Sequence, residues 1–199
     1  MTLILASASP RRQELLLQIG VSFEVQPADI DETSLAGESP EAYVERLALE
    51  KARHIAAKRP GSVVLAADTT VVHNEASGEY VESRILGKPA DREEALAMIR
   101  MLSGSGHLVQ TGIALVDGPG EKVFSQVVTT RVRFRTLALS EIEAYCDTGE
   151  GADKAGGYGI QGKGAVLIDG IEGSYSNVVG LPLAETALLL RQANIPIWQ

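Results

Sequence analysis

The segment Ser7-Ala-Ser-Pro-Arg-Arg12 brings two hydroxyl groups and two guanidinium groups together in a short stretch of chain. Ser9 and Pro10 are typical of a helix start, as N-cap and first helical residue. Free backbone N–H groups and the positive end of a helix dipole favour an anion there, and an arginine can bind two phosphate oxygens at once. The alternative is an ordinary Ser-Pro cap with two surface arginines, although positive charge is unfavourable in a first helical turn. The segment predicts a phosphate site.

A second candidate is Asp68, which lies inside the apolar run 63–72. An unpaired carboxylate buried in such a strand would cost several kcal/mol, so something must compensate its charge. A divalent metal, a lysine, or exposure at the carboxyl end of the strand beside a cleft would each do so, and α/β sheets bind their ligands at that end. The simpler alternative is a strand-end aspartate that caps a turn. Perturbed carboxylates often mark functional sites, which favours the first interpretation.

Lys51 is the least expected lysine of the sequence. At about 100° per residue it falls in the middle of an apolar helical stripe and points inward. It therefore needs an anionic partner, for which a phosphate or Asp68 would serve; alternatively, its long stem reaches past the helix edge to solvent. The apolar stripe consists of Val44, Leu47, Ala48 and Ile55.

Glu32 follows two aspartates in the acidic loop 29–32. Carboxylate oxygens in such a cluster are suitable ligands for a hard cation such as Mg²⁺ or Mn²⁺, although most acidic loops are merely solvated. The three histidines, His54, His73 and His107, lack the spacing of a metal site.

The elements that position these residues follow an α/β pattern, in which β-branched apolar runs alternate with segments of helical period. Strands are predicted at 3–6, 22–26, 63–72, 107–116 and 122–135, with a turn at 117–120 between the last two. Helices are predicted at 10–20, 40–59, 91–102, 141–147 and 183–192. Capping boxes are predicted at Asp91 with Glu94 and at Ser140 with Glu143. The glycine-rich stretch 149–180 is predicted to form loops and short strands near a ligand.

Length and composition narrow the function classes. The chain has 199 residues, 18 basic against 26 acidic side chains, and a single cysteine. The net charge of −8 argues against general nucleic-acid binding, which depends on clustered Lys and Arg. No export signal and no run of about 20 apolar residues is present, so we expect a cytoplasmic protein that does not enter a membrane.

Taken together, the motifs resemble the Maf family of nucleoside triphosphate pyrophosphatases over nearly the whole chain. Several of the motifs are weak individually, but their order and spacing are specific. The matching pieces are Ser7-Ala-Ser-Pro-Arg-Arg12, Asp31-Glu32, Glu50-Lys51-Ala52, Ala67-Asp-Thr69, Gly87-Lys-Pro89, Asp153-Lys-Ala-Gly-Gly-Tyr-Gly-Ile-Gln-Gly162 and Val179-Gly-Leu-Pro182.

The resemblance implies an α/β fold related to the inosine triphosphatases: one domain over 1–199, with an elongated, twisted mixed sheet flanked by helices and two lobes around a central cleft. It implies a homodimer that hydrolyses a nucleoside triphosphate to the monophosphate and pyrophosphate with a divalent metal, Mg²⁺ or Mn²⁺. Asp68 would be the proton acceptor and would hold the metal with Glu32. The implied phosphate-binding residues are Ser7, Arg12, Lys51 and Lys88.

Three positions point to a subfamily. Arg11, Thr69 and Gln161 resemble the dTTP/UTP-preferring branch, whereas a branch that prefers 7-methyl-GTP typically has tryptophan, glutamine and glutamate there. Gln161 suits a uracil or thymine edge, because one amide supplies both a hydrogen-bond donor and an acceptor. The segment 74–84 is longer than the tight turn usual before the Lys88 motif, and Ser176-Asn177 also departs from the family pattern.

Two alternatives stay open at this point. One is the same reaction on a different base, such as methylated guanosine or a damaged pyrimidine. The other comes from the family's association with inhibition of septum formation: the chain would then be a nucleotide-sensing binding protein of the division apparatus, and hydrolysis would be incidental.

Overall fold

A computed structural model describes residues 2–77, 80–118 and 122–198, without the side chains of 75–81. Residues 119 and 120 of the predicted turn and residues 78 and 79 of the 74–84 segment lie outside the described residues. Within them, no helix combines the length and apolarity needed to cross a bilayer.

Strands and helices are interspersed along the described chain, which confirms the predicted α/β class. The strands are β1 (Leu3–Leu5), β2 (Glu24–Val25), β3 (Val63–Ser77), β4 (Tyr80–Leu86), β5 (Gly106–Asp117), β6 (Lys122–Phe134) and β7 (Ile168–Glu172). The helices are α1 (Pro10–Gln18), α2 (Pro40–Lys58), α3 (Arg92–Leu102), α4 (Leu139–Asp147), α5 (Tyr175–Val179) and α6 (Leu183–Gln192). Two 3₁₀ turns cover Ala155–Gly157 and Gly162–Leu167.

The strands form one mixed sheet in the order β2-β1-β3-β5-β6-β7, with β4 paired to β3. Strand β1 runs parallel to both of its neighbours, and Leu3 lies opposite Val63. Strand β4 is antiparallel to β3, and β7 is antiparallel to β6. The predicted mixed sheet is therefore confirmed, with β3 continuing five residues beyond the predicted end at position 72.

Two local predictions need correction. Helix α4 begins two residues earlier than predicted, with Ala138 as its N-cap, and the carboxylate of Glu141 accepts from the Ala138 N–H at 2.9 Å. The capping box at Ser140 and Glu143 is therefore wrong, because Glu141 already occupies the position that satisfies the free N–H. The glycine-rich stretch contains one strand as predicted, but also two 3₁₀ turns and helix α5.

The chain divides into two compact units. The first comprises residues 1–68, 111–128 and 180–199. In its core, α2 lies against the sheet through small side chains, so that the helix backbone comes very close to β5. At Gly112 a Cβ atom would stand 2.3 Å from the carbonyl oxygen of Val44, which leaves no room for any side chain. The buried small residues of α2 are Ala48, Ala52 and Ala56.

The second unit comprises residues 69–110 and 129–179. Its core contains three rings in mutual edge-to-face contact, with centroid distances of 4.7 to 5.4 Å. Such pairs are worth roughly 0.5–1.5 kcal/mol beyond their buried area. The rings belong to His107, Phe134 and Tyr158.

Candidate active site

The centre of the first unit is an ammonium group between two carboxylates. Lys51 Nζ lies 2.7 Å from Asp68 Oδ1 and 2.6 Å from Glu32 Oε1. Lys51 and Asp68 are each only 8% exposed, so Lys51 points inward as predicted and does not reach past the helix edge. Asp68 lies well inside β3, so it does not cap a turn at a strand end. The charge of Asp68 is compensated by a lysine, one of the predicted solutions.

The predicted phosphate segment brings Ser7 and Arg12 together. The buried hydroxyl oxygen of Ser7 accepts hydrogen bonds from Arg12 Nη1 and from the backbone N–H of Ser9, both at 3.2 Å. Arg12 Nε donates to the carbonyl oxygen of Gly180 at 2.7 Å. Ser9 is the N-cap of α1 as predicted, but its own side chain makes no capping hydrogen bond.

The charge around Arg12 links this segment to the buried lysine. Burial lowers the pKa of Arg12, and the carboxylates of Asp68 and Glu32 act against that shift, while Arg11 adds to it. A guanidinium group remains charged at any ordinary pH. The first unit therefore places two cations, Arg12 and Lys51, among the same two carboxylates.

Helix α2 also holds the loop that carries Glu32. The Tyr43 hydroxyl donates to the backbone oxygen of Glu32 at 3.0 Å, and Arg46 Nη2 donates to the backbone oxygen of Thr33 at 3.2 Å. Arg46 further binds both oxygens of Glu38 at 2.6 and 2.8 Å. Sequence reasoning missed Tyr43, Arg46 and Glu38, and the only clue was that both α2 residues flank the inward-facing stripe.

The acidic loop contributes one carboxylate to this cluster. Asp31 closes its own loop, because its Oδ1 accepts from the Thr33 N–H at 2.9 Å and from the Thr33 hydroxyl at 2.6 Å. In the described part of the chain, no group of three or more His, Cys, Asp or Glu side chains is arranged to hold a metal. Mg²⁺ commonly takes one or two protein carboxylates and completes its shell with phosphate and water oxygens. Glu32 and Asp68 supply two such carboxylates, which is enough for Mg²⁺ bound together with a phosphate.

The remaining predicted residues belong to the second unit. Thr69 follows Asp68 on β3, Lys88 is exposed in the loop after β4, and Gln161 is exposed just before the second 3₁₀ turn. The Gly156 N–H donates to the carbonyl oxygen of Gly87 at 3.0 Å, which ties the Lys88 segment to the glycine-rich stretch. Direct contacts thus join Glu32, Lys51 and Asp68, and join Ser7 with Arg12, while Arg11 stands half-buried beside them.

Comparison with known proteins agrees with the motifs. The model of the family described as Maf-like protein matches residues 2–193. The chain belongs to the Maf family. This Maf protein is 54% identical over 195 residues to the dTTP/UTP pyrophosphatase of Myxococcus xanthus (strain DK1622), covering 98% of the chain and 94% of the relative. The resemblance found in the sequence is confirmed.

Two further matches extend the comparison. The dTTP/UTP pyrophosphatase of Symbiobacterium thermophilum is 51% identical over 196 residues, which cover 98% of the Maf chain and 96% of the relative. Among solved structures, a nucleoside-triphosphatase / dITP/XTP pyrophosphatase from Mycobacterium abscessus matches with a TM-score of 0.46 and 16% identity, over 98% of the Maf chain and 96% of that chain.

The buried ion pair leads to a stability prediction. Lys51→Met keeps the length of the side chain but leaves the Asp68 carboxylate without its ammonium partner. We expect the free energy of unfolding, measured with urea, to fall by about 2–3 kcal/mol, less than for a fully buried pair because some solvent reaches these side chains. The double variant Lys51→Met with Asp68→Asn removes the unpaired charge and should recover at least half of the loss. A Lys51→Met protein as stable as wild type would contradict this account.

The clamp between Arg46 and Glu38 leads to a pH prediction. Hydrogen bonds from Arg46 lower the pKa of Glu38 from 4.5 to about 2. A lowered folded-state pKa stabilises the fold above the unfolded value, and this contribution is lost as the pH falls from 4.5 to about 2. Wild type should therefore exceed Arg46→Met in unfolding free energy at neutral pH, and the difference should shrink steadily below about pH 4.

Urea unfolding across this pH range measures the difference. Arg53→Met is the matched control, since Arg53 is an exposed arginine on the same helix. It should shift stability by a constant small amount at every pH. If the difference in unfolding free energy between wild type and Arg46→Met does not vary with pH, Glu38 is not the group whose protonation weakens the contact.

Proposed function

We propose that this Maf protein hydrolyses dTTP and UTP to the monophosphate and pyrophosphate. The observation that carries the proposal is the buried Asp68, held by Lys51 beside Glu32 and facing the charge of Arg12. A carboxylate that faces the phosphates directly opposes the binding of a triphosphate, because like charges repel each other. It is useful for accepting a proton. The base preference is supported by the names of relatives that align with nearly the whole chain.

In the proposed reaction, water attacks the α-phosphorus and its proton passes to Asp68. A bond forms between the water oxygen and the α-phosphorus, while the bond from that phosphorus to the bridging oxygen breaks and pyrophosphate leaves. Lys51 is bonded to Asp68 Oδ1, so Oδ2 is the oxygen that takes the proton. The same contact keeps the carboxylate oriented, as a general base requires.

The phosphates are bound by the cations and by the start of α1. Phosphoryl transfer spreads negative charge over the phosphate oxygens, so positioned positive groups supply much of the rate. Arg12 and Lys51 are already arranged in the first unit, and the N–H groups at the start of α1 add the positive end of its dipole. Ser7, which accepts a hydrogen bond from Arg12, and Lys88 are further phosphate ligands in this proposal.

A divalent cation, Mg²⁺ or Mn²⁺, is the proposed cofactor, with Glu32 and Asp68 as its protein ligands. When bound, it neutralises phosphate charge and orients the triphosphate. Both carboxylates already contact the Lys51 ammonium group, so they lie close to each other.

Arg11, Thr69 and Gln161 are the proposed base-selecting residues. We also propose that the chain works as a single-domain homodimer in the cytoplasm, where nucleotides are metabolised.

Pyrophosphate release with Mg²⁺ or Mn²⁺ tests the reaction. Equal concentrations of dTTP, UTP, CTP, dATP, GTP and 7-methyl-GTP should show preference for dTTP and UTP. Asp68→Asn should keep the fold and lower turnover by about 10²–10⁴-fold, the usual contribution of a general base. Asp147→Asn is the matched control and should leave turnover unchanged. Asp147 lies exposed at the end of α4, where it pairs with Arg92 of α3. Near-normal turnover by Asp68→Asn with full metal would refute the proton-acceptor role.

The same panel separates the alternatives. Gln161→Glu removes the amide donor and should relax the preference for dTTP and UTP. Preference for 7-methyl-GTP or for a damaged pyrimidine nucleotide would move the proposal to another substrate. Binding of triphosphates without any release would favour the nucleotide-sensing protein.

Light scattering of the same preparation tests the assembly. A homodimer should return twice the 21.1 kDa mass of one chain. A mass of one chain at the concentrations used for the assay would contradict the dimer.

A further inference from the structure

The proposed base-reading residue lies in a segment with little intrinsic rigidity. Between positions 156 and 164 the chain contains five glycines, and Gln161 itself is exposed. Fixing each backbone residue costs about 1–2 kcal/mol in conformational entropy, and glycine loses more freedom than any other residue. An exposed side chain on such a segment can read a base only if the backbone is held from elsewhere.

The first support is a buried pair in the second unit. The Tyr158 hydroxyl lies 2.6 Å from His107 Nε2, and these residues are 5% and 2% exposed. The His107 ring also contacts the rings of Phe134 and Tyr158 edge to face. Burial lowers the pKa of His107 to about 3, so its imidazole is neutral at neutral pH. Tyr158, three residues before Gln161, is thereby fixed through both its ring and its hydroxyl.

The second support follows Gln161 directly. The carboxylate of Glu150 accepts from the backbone N–H of Lys163 at 2.8 Å and from that of Gly164 at 2.7 Å. The Tyr145 hydroxyl accepts from the N–H of Gly159 at 3.3 Å. Burial raises the pKa of Glu150, but the two backbone hydrogen bonds, the Tyr145 hydroxyl and the charge of Lys154 together lower it, and the net shift is downward. Glu150 is therefore an anion at neutral pH and a strong acceptor for both N–H groups.

A third contact extends the effect to a second site residue. The Gly156 N–H donates to the carbonyl oxygen of Gly87, immediately before Lys88. Gly156 has a φ of +71°, and an added Cβ would stand 3.0 to 3.1 Å from the Val71 side chain. The conformation and the close approach both suit glycine alone. The segment that carries Gln161 and the segment that carries Lys88 therefore share one support.

From these contacts we infer that His107 and Glu150 are positioning residues that set the preference for a uracil or thymine base by fixing the Gln161 segment. This inference rests on the proposed function. A freely rotating amide can pair with uracil or, after a 180° flip, with cytosine, because it has one donor face and one acceptor face. The amide can favour one of these pairings only when it is ordered at the base edge, and a backbone that is already fixed lowers the entropy cost of that ordering.

Two conservative variants test the inference. Tyr158→Phe removes the hydroxyl that contacts His107 and keeps the ring, and Glu150→Gln replaces one of the two acceptor oxygens with an amide. Each is expected to lower the ratio of kcat/KM for UTP over CTP by about 5–10-fold, the effect of one hydrogen bond. Each should also speed amide hydrogen exchange at 159–164. Tyr175→Phe and Glu143→Gln are the matched controls, since both residues are exposed, and neither should change either quantity.

Binding of non-hydrolysable α,β-imido analogues of UTP and CTP, measured by calorimetry with Mg²⁺, separates this inference from the proposed function. If wild type prefers the UTP analogue and the variants lose that preference, the inference is supported even where hydrolysis is absent, in which case only the proposed function fails. The inference is overturned if the variants loosen the segment but keep the wild-type discrimination. It is equally overturned if exchange at 159–164 is unchanged in both variants.

Discussion

The arrangement of the first unit depends on a buried ammonium group that satisfies two carboxylates at once. Lys51 brings charge into a region built from apolar strand and helix faces, and Asp68 and Glu32 are the groups that make this position tolerable. Removing Lys51 would leave both carboxylates without the ammonium group that they share, so the position of the lysine constrains both of them. The position of the proposed proton acceptor and the balance of charge around it are thus the same requirement.

Helix α2 positions both Lys51 and the loop that carries Glu32. It uses the apolar stripe for the first and the residues beside the stripe for the second. Its alanines and the absence of a side chain at Gly112 let the helix backbone lie directly against β5, which fixes how far Lys51 reaches. On the flank of the stripe, Tyr43 and Arg46 hold the loop with Glu32 through its backbone oxygens. The loop therefore owes its position to the helix as well as to its own turn at Asp31.

Sequence reasoning identified Lys51 and Asp68 because both interrupt a regular apolar pattern, which is a local signal that needs no knowledge of the partner. The class of fold and most helix limits were predictable because they too follow from local signals, namely the period of the apolar residues and the residues that begin and end helices. The contacts of Arg46 with Glu38, and of His107 with Tyr158, were not, since each joins residues whose types are ordinary in their own elements. Helix α4 is a similar case on a local scale. Both Glu141 and Glu143 could cap its N-terminus by sequence, and only the backbone geometry shows that Glu141 does so.

The two parts of the proposed site are held by different physical means. The proton acceptor and the phosphate ligands of the first unit are held by contacts between full charges, which respond to every change in a neighbouring charge. The Gln161 segment is held by groups that keep one protonation state near neutral pH: burial lowers the pKa of His107 and raises that of Tyr158, and backbone hydrogen bonds keep Glu150 ionised. In the proposed site, the groups that support base recognition would thus keep their charge across the pH range near neutrality, whereas the proposed chemistry depends on groups that exchange protons and bind charge.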